Sequence, residues 1–390
     1  MSNRLGPSSL MLGNFVIGTS VMAPTGMMRE LSEGLGVSIR QTSYLMTFGA
    51  IVVSLGSPLL SWATSRWDRR ALLFGSLAWI ALAQGLAALA PSFGLQLALR
   101  LLMLFAAAPF TPQAASVAGM LVEPARRASS IAYVFLGWSL ASAFGMPLIT
   151  FVAHHLGWQW TYGAIGIVAA FSALLLRFSL PPALHTPPLQ LSSWLELARN
   201  REVMLLLLLT SLLTSGQFAV FTFLAPLLSL AGASADAVGL VFALTGTMGF
   251  VGNVVATRIV RARGPYRTEQ LSITMLVLGA AVFAFGGGVL APMVVGIGIW
   301  GLGFASTNSM QQARLVAAAP ALAGAAVSLN TSSLYVGQAA GSAVGGWLYE
   351  AGRVAIIGYG ALFFIAAGAL VLLLTRPRLH VDDARGTNVA

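Results

Sequence analysis

Long, nearly uncharged apolar windows run through this chain and restrict its fold more than any other feature. Twelve of them, about 20–28 residues each, fall near 7–28, 42–62, 71–90, 94–118, 128–152, 158–180, 203–230, 237–258, 270–290, 292–315, 322–348 and 354–375. At 1.5 Å per residue each window can cross about 30 Å of hydrocarbon as a helix. Lipid offers no partner to backbone N–H and C=O groups, so a spanning segment must be a helix or part of a closed barrel. Strands alternating every second residue are absent, which disfavours a barrel. Hydrophobic residues make up 57% of the chain and charged ones 8%, with a mean hydropathy of +0.84. A soluble domain carries roughly a quarter charged residues, so that class is excluded. The first window lacks a small-residue cleavage site and reads as a retained span. The expected fold is an all-α membrane protein of twelve transmembrane helices.

The net charge is +10, and every basic residue is Arg. Such a balance can signal nucleic acid, but its placement here points to a membrane. Seventeen of the 21 arginines fall in alternate connections and at the termini, from Arg4 through Arg66, Arg69 and Arg70 to Arg376, Arg378 and Arg385. The opposite connections hold Arg29, Arg40 and Arg353. Positive charge collects on the cytoplasmic side of spanning proteins, so both termini are expected there. Arg100 is the one ionisable side chain left at depth. All eleven acids fall at or beyond the ends of the windows, Glu269 included. A buried acid is the usual proton carrier in transport, and a buried Arg is a contact for anions or dipoles.

Two stretches repeat. Gly137, Ala141 and Gly145 recur at four-residue spacing, as do Gly337, Gly341 and Gly345 at an offset of 200 residues. Gly36, Ser38 and Gly56 match Gly232, Ser234 and Gly252 at an offset of 196. Small residues every fourth position give a helix a smooth face for close approach. Repeated sets of six spans imply two pseudo-symmetric six-helix bundles. The expected organisation is a half at 1–180, a cytoplasmic linker at 181–202, a half at 203–376 and a cytoplasmic tail at 377–390. Within the linker, Ser192–Asn200 has the pattern of an interfacial helix.

On these residues the chain resembles the major facilitator superfamily along essentially its whole length. The nearest likeness is the drug–proton antiporter branch that contains sugar-efflux and chloramphenicol-type exporters. Ser61 to Arg70 resembles the signature of loop 2–3, with Arg66, Arg69 and Arg70 matching and Asp68 where the second Gly stands in the family. The resemblance implies a gating latch there. Arg100, followed by Ala106 to Pro112, resembles the Arg-bearing fourth span. Gly137 to Pro147 resembles the antiporter motif, a Gly-rich helix ending in Gly145-Met146-Pro147, which implies a helix that seals the cavity. One departure matters: Val21 stands where relatives commonly keep a membrane-embedded Glu, and Tyr335 where they often keep Asn.

The resemblance places a cavity near the midplane, between the halves. Its polar candidates are Thr19, Ser20, Trp138, Ser139, Gln217, Thr245, Thr247, Trp300, Asn308, Ser332, Tyr335 and Gln338, with Arg100. Of these, Arg100, Thr19, Trp138, Gln217, Trp300, Asn308, Tyr335 and Gln338 are the expected substrate contacts. The expected gating residues are Arg66, Asp68, Arg69, Arg70, Gly145 and Pro147. Met22, Phe218, Phe221 and Phe223 would add an apolar, adaptable lining. No cysteine is present, His154 and His155 have no completing ligand set, and no phosphate-binding loop occurs. No catalytic residue, metal or cofactor is expected, and no nucleic-acid partner.

The expected function is export of a small amphipathic or sugar-like molecule by alternating access, from a monomer in a bacterial-type inner membrane. The family implies exchange against protons, whereas the missing Glu favours a proton-independent facilitator or uptake carrier. A transport-inactive receptor on the same fold is the alternative from another class.

Overall fold

Helices form wherever the apolar windows run, and several of their starts, at Ser38, Asp68, Ser92, Asn200 and Ser234, carry a side chain that satisfies a free N–H group. In the computed structural model, residues 5–123, 127–185 and 191–376 are described. The predicted tail and residues 186–190 of the predicted linker lie outside them. Sixteen α-helices follow in chain order: α1 (Leu5–Gly26), α2 (Met28–Leu35), α3 (Ile39–Ala63), α4 (Arg69–Ala87), α5 (Phe93–Ala107), α6 (Phe110–Met120), α7 (Arg127–Leu140), α8 (Met146–Leu156), α9 (Trp158–Ser179), α10 (Leu191–Arg199), α11 (Arg201–Phe221), α12 (Leu224–Leu230), α13 (Ala235–Phe285), α14 (Leu290–Ala318), α15 (Ala323–Glu350) and α16 (Val354–Leu374). A π-helical segment, Ala141–Gly145, joins α7 to α8.

Among the described residues, nine helical stretches are long and apolar enough to cross a membrane. The count is ten if α1 and α2, bent by 63° about Met27, form one span. Two features separate this from the twelve windows. The windows at 237–258 and 270–290 both fall on α13, a 51-residue run turned at Gly264 (φ 72°). The window at 322–348 is α15, whose Gly, Ser, Asn and Gln residues keep its hydropathy low.

The two stretches that repeat in sequence also repeat in structure. Gly36 and Gly232 both take positive φ, 63° and 90°. Two residues later Ser38 caps α3 through the N–H of Gln41, and Ser234 caps α13 through the N–H of Ala237. Glycine tolerates that backbone without strain, and a Ser oxygen there satisfies a free helical N–H. The small-residue ladders likewise do equal work at their offset of 200. A Cβ at Gly137 would lie 2.3 Å from Met11 O of α1, and one at Gly337 2.4 Å from Ser211 O of α11. Gly145 faces Thr19, and Gly345 faces Ala219.

Helices before α10 meet those after it along two seams: α15 lies against α3, and the π segment with α8 lies against α13. For reference, the end holding α2 is called the α2 end, and the end holding the Gly264 turn the corner end. At the α2 end two ion pairs bridge the seams, Arg40 with Glu350 and His155 Nε2 with Asp236 Oδ1 at 3.5 Å. Phe223 stacks on Tyr349 at the same end, ring centres 5.6 Å apart.

Candidate functional site

Arg100 is 4% exposed, so its charge is taken out of solvent. It does not reach for the surface; backbone carbonyls surround it. Its Nε donates to Leu45 O at 2.7 Å, Nη1 to Ser20 O at 3.0 Å and Nη2 to Val21 O at 2.7 Å. The Ser20 carbonyl is available for a reason written in the sequence. Pro24, four residues on, has no N–H to return to it. Position 21 thus meets the guanidinium through its backbone, with Val in place of the family's carboxylate. Beside Arg100 lie Gln84, Gln96 and Tyr162, each buried.

A chain of polar side chains ties α1, α6 and α7 together. Trp138 Nε1 donates to Thr111 Oγ1 at 3.3 Å, Thr111 to Asn14 Oδ1 at 2.9 Å, and Asn14 Nδ2 to Val134 O at 3.1 Å. The later helices α11, α14 and α15 carry a counterpart. Thr210 donates to Asn330 Oδ1 at 2.7 Å and Asn330 Nδ2 to Asn308 Oδ1 at 3.4 Å. Asn14 and Thr210 are 196 residues apart, and Thr111 and Asn308 are 197 apart. Trp138 and Asn308 are expected contacts; Asn14, Thr111, Thr210 and Asn330 are not among them. Asn14, an amide in the middle of an apolar window, was the signal available for the first group.

Other expected contacts are buried without a partner in the chain. The hydroxyls of Thr19 and of the candidates Ser20 and Ser332 are buried and bond nothing among the described residues. Gln217 and Gln338 are buried as well, and neither side chain takes part in any hydrogen bond within the described chain. Tyr335 packs into the core of the earlier helices with Val16, Ile17 and Val53. Trp300 is buried in a core drawn from both earlier and later helices. Phe218 and Phe221 join Phe242 and Phe304 in a ring cluster, centres 5.6–6.5 Å apart. Phe223 departs from the expected lining, because its stacking on Tyr349 holds it at the α2 end.

At the gating candidates, Met146 N–H bonds Ala141 O five residues back, and Pro147 brings no N–H. The π segment that results is a common mark of functional helices. Its backbone touches α13: a Cβ at Gly246 would lie 2.4 Å from both Cα and N of Ala143. In the Ser61–Arg70 loop, Asp68 Oδ1 caps α4 through the N–H of Ala71, and Oδ2 accepts from Leu184 N at 3.0 Å. Arg69 is buried and donates to Thr64 O and Ser65 O. Arg66 is exposed, and Arg70 holds its Nε buried without a partner.

One pair needs correction. Glu269 and Arg314 read from sequence as charges at the ends of spans, yet Glu269 is 0% exposed and ion-paired to Arg314. Arg314 also donates to Thr375 O at 2.8 Å and stands over the Tyr266 ring at 5.1 Å. The ends of α14 and α16 close over the second arm of α13, which sequence position alone does not reveal.

The pattern that defines the Major Facilitator Superfamily matches residues 10–333. The chain belongs to the major facilitator superfamily. It is therefore an integral membrane transporter and not an enzyme. It is 26% identical over 395 residues to the MFS-type transporter YbcL of Bacillus subtilis, covering 98% of this chain and 99% of that one. It is 27% identical over 375 residues to the inner membrane transport protein YdhP of Escherichia coli K12, covering 94% of each. In fold it is similar to a mutant of the nucleoside transporter NupG, with a TM-score of 0.72 at 15% identity over 95% of this chain and all of that one. A bacterial homologue of the lysosomal transporter Spinster, in an inward-facing and unoccupied conformation, gives 0.66 at 14% identity, covering 96% and 95%.

Proposed function

We propose that this transporter exports a small amphipathic or sugar-like molecule across a bacterial inner membrane. Twelve spans in two six-helix halves, 1–180 and 203–376, would rock about the linker at 181–202. Both termini lie in the cytoplasm on this reading, with the α2 end periplasmic and closed. The arginine distribution supports that orientation. One observation carries the substrate class. The hydroxyls of Thr19 and Ser332 are buried without partners among the described residues, and the side chains of the buried Gln217 and Gln338 make no hydrogen bond there, in a chain that also supplies a four-ring Phe cluster. A buried polar group left unpaired costs about 1–3 kcal/mol, which a polar ligand can recover. Direction rests on the Gly137–Pro147 segment and its likeness to the antiporter motif, with the Arg66–Arg70 loop as latch.

A second reading, proton-independent facilitated transport by a monomer, is favoured by the absence of a carboxylate beside Arg100 among the described residues. Glu269 is committed to Arg314 near the corner end. Proteoliposomes decide between these readings. Substrates found by a thermal-shift screen of drugs, sugars and organic anions are tested for counterflow and for uphill movement under an imposed pH gradient. Antiport predicts accumulation against the gradient. Counterflow without accumulation would establish the facilitator, and binding with no exchange would establish a receptor.

A further inference from the structure

The two arms of α13 frame a groove at the corner end that the transport reading leaves unused. It is an open groove of about 210 Å³. Val255 and Ile259 of the first arm, Leu271 and Met275 of the second, and Leu302 of α14 form its walls. Three hydroxyls also line it, and all three are already satisfied. Thr268 donates to Gly264 O at 2.8 Å, Ser272 to Thr268 O at 3.2 Å, and Ser306 to Ser272 Oγ at 2.8 Å. The donor hydrogens of all three hydroxyls are committed, so water in this groove would find only weak acceptor sites, whereas a hydrocarbon chain would leave no donor unpaired. Val255 and Leu271 are exposed at its rim, so it opens outward from the helices.

Directly above stands a concentrated charge. Arg258, Arg261, Arg263 and Arg267 are all exposed and lie within ten residues around the Gly264 turn. No acid occurs between Asp236 and Glu269, and Glu269 is buried against Arg314. The groove runs from Ile259 to Gly252, about 10 Å at 1.5 Å per residue, so hydrocarbon and anion sites are contiguous. We infer that this corner binds an anionic phospholipid, with an acyl chain in the groove and its phosphate on the arginines. Basic pockets between spanning helices are suited to such headgroups.

The test is native mass spectrometry of the purified full-length transporter, with phosphatidylglycerol and phosphatidylcholine of identical acyl chains as probes. The intact protein is expected to prefer phosphatidylglycerol by roughly tenfold, the attraction of one to two arginines. Replacing Arg258, Arg261, Arg263 and Arg267 by Gln should abolish the preference and retain binding of both lipids. The rim variant Val255→Trp should displace both, with Leu271→Trp as the alternative where the first does not fold. Arg199→Gln with Arg201→Gln should leave the preference intact. Equal binding of the two lipids by the intact protein would overturn the proposal. So would a preference that survives the fourfold replacement, one lost equally at Arg199 and Arg201, lipid retention in the folded rim variant, or full displacement by inorganic phosphate.

Discussion

Arg100 holds three segments together through carbonyls rather than through a counter-charge. Arg100→Ala would leave the Ser20 carbonyl, which has no N–H from Pro24, unpaired in a dry setting at about 1–3 kcal/mol, and would remove the guanidinium contacts to Val21 O and Leu45 O. The melting temperature in detergent is expected to fall sharply. Arg100→Lys keeps the charge but not the fork of five donors, so an intermediate loss is expected. Gly246 sets a second constraint at this scale. A methyl there would sit 2.4 Å from the Ala143 backbone, which cannot swing aside as a side chain can. Gly246→Ala should cost about 1–3 kcal/mol by overpacking and slow transport strongly. Gly75→Ala, with nothing within 4 Å of the added atom, should do neither. Melting curves and proteoliposome flux on the two variants measure the contrast.

Among elements, the α13 to α16 set depends on a buried charge pair. Removing one member of such a pair leaves the other uncompensated and typically costs 3–5 kcal/mol. Arg314→Leu is therefore expected to destabilise far more than Glu269→Leu with Arg314→Leu together. A double-mutant cycle in thermal melts reads the coupling, and additive effects would refute it. This pair also marks where sequence reading stops. The windows and the small-residue ladders at Gly137 and Gly337 are local patterns with a fixed period, so their helices and close approaches were legible. Burial of Glu269 depends on which helix ends gather over it, and Thr375 lies far along the chain. Phe223 escaped for the same reason, since its position relative to Tyr349 is a matter of helix rotation. The partners of Arg100 were half legible: Pro24 announces a free carbonyl, but not which cation reaches it.

For the whole molecule, the α2 end is held by Arg40–Glu350 and His155–Asp236, ion pairs partly open to solvent. Such pairs are each worth about 0.2–1 kcal/mol, so removing both should shift an opening equilibrium by about two- to thirty-fold. The chain has no cysteine, which makes a single reporter clean. Thr19→Cys in an Arg40→Gln, His155→Gln background should be labelled faster by an impermeant maleimide than Thr19→Cys alone. Equal rates would refute a role of these pairs in closure.

The contact of Gly246 with Ala143 has a mechanical meaning. Rocking bodies need a fulcrum, and a fulcrum made of bare backbone offers no side chain that must repack as the angle changes. Asp236 stands ten residues from Gly246 on the same helix, a lever arm of about 15 Å. On the rocking proposed above, a tilt too small to part the two backbones would be magnified at the Asp236 tip, where the contact with His155 would open.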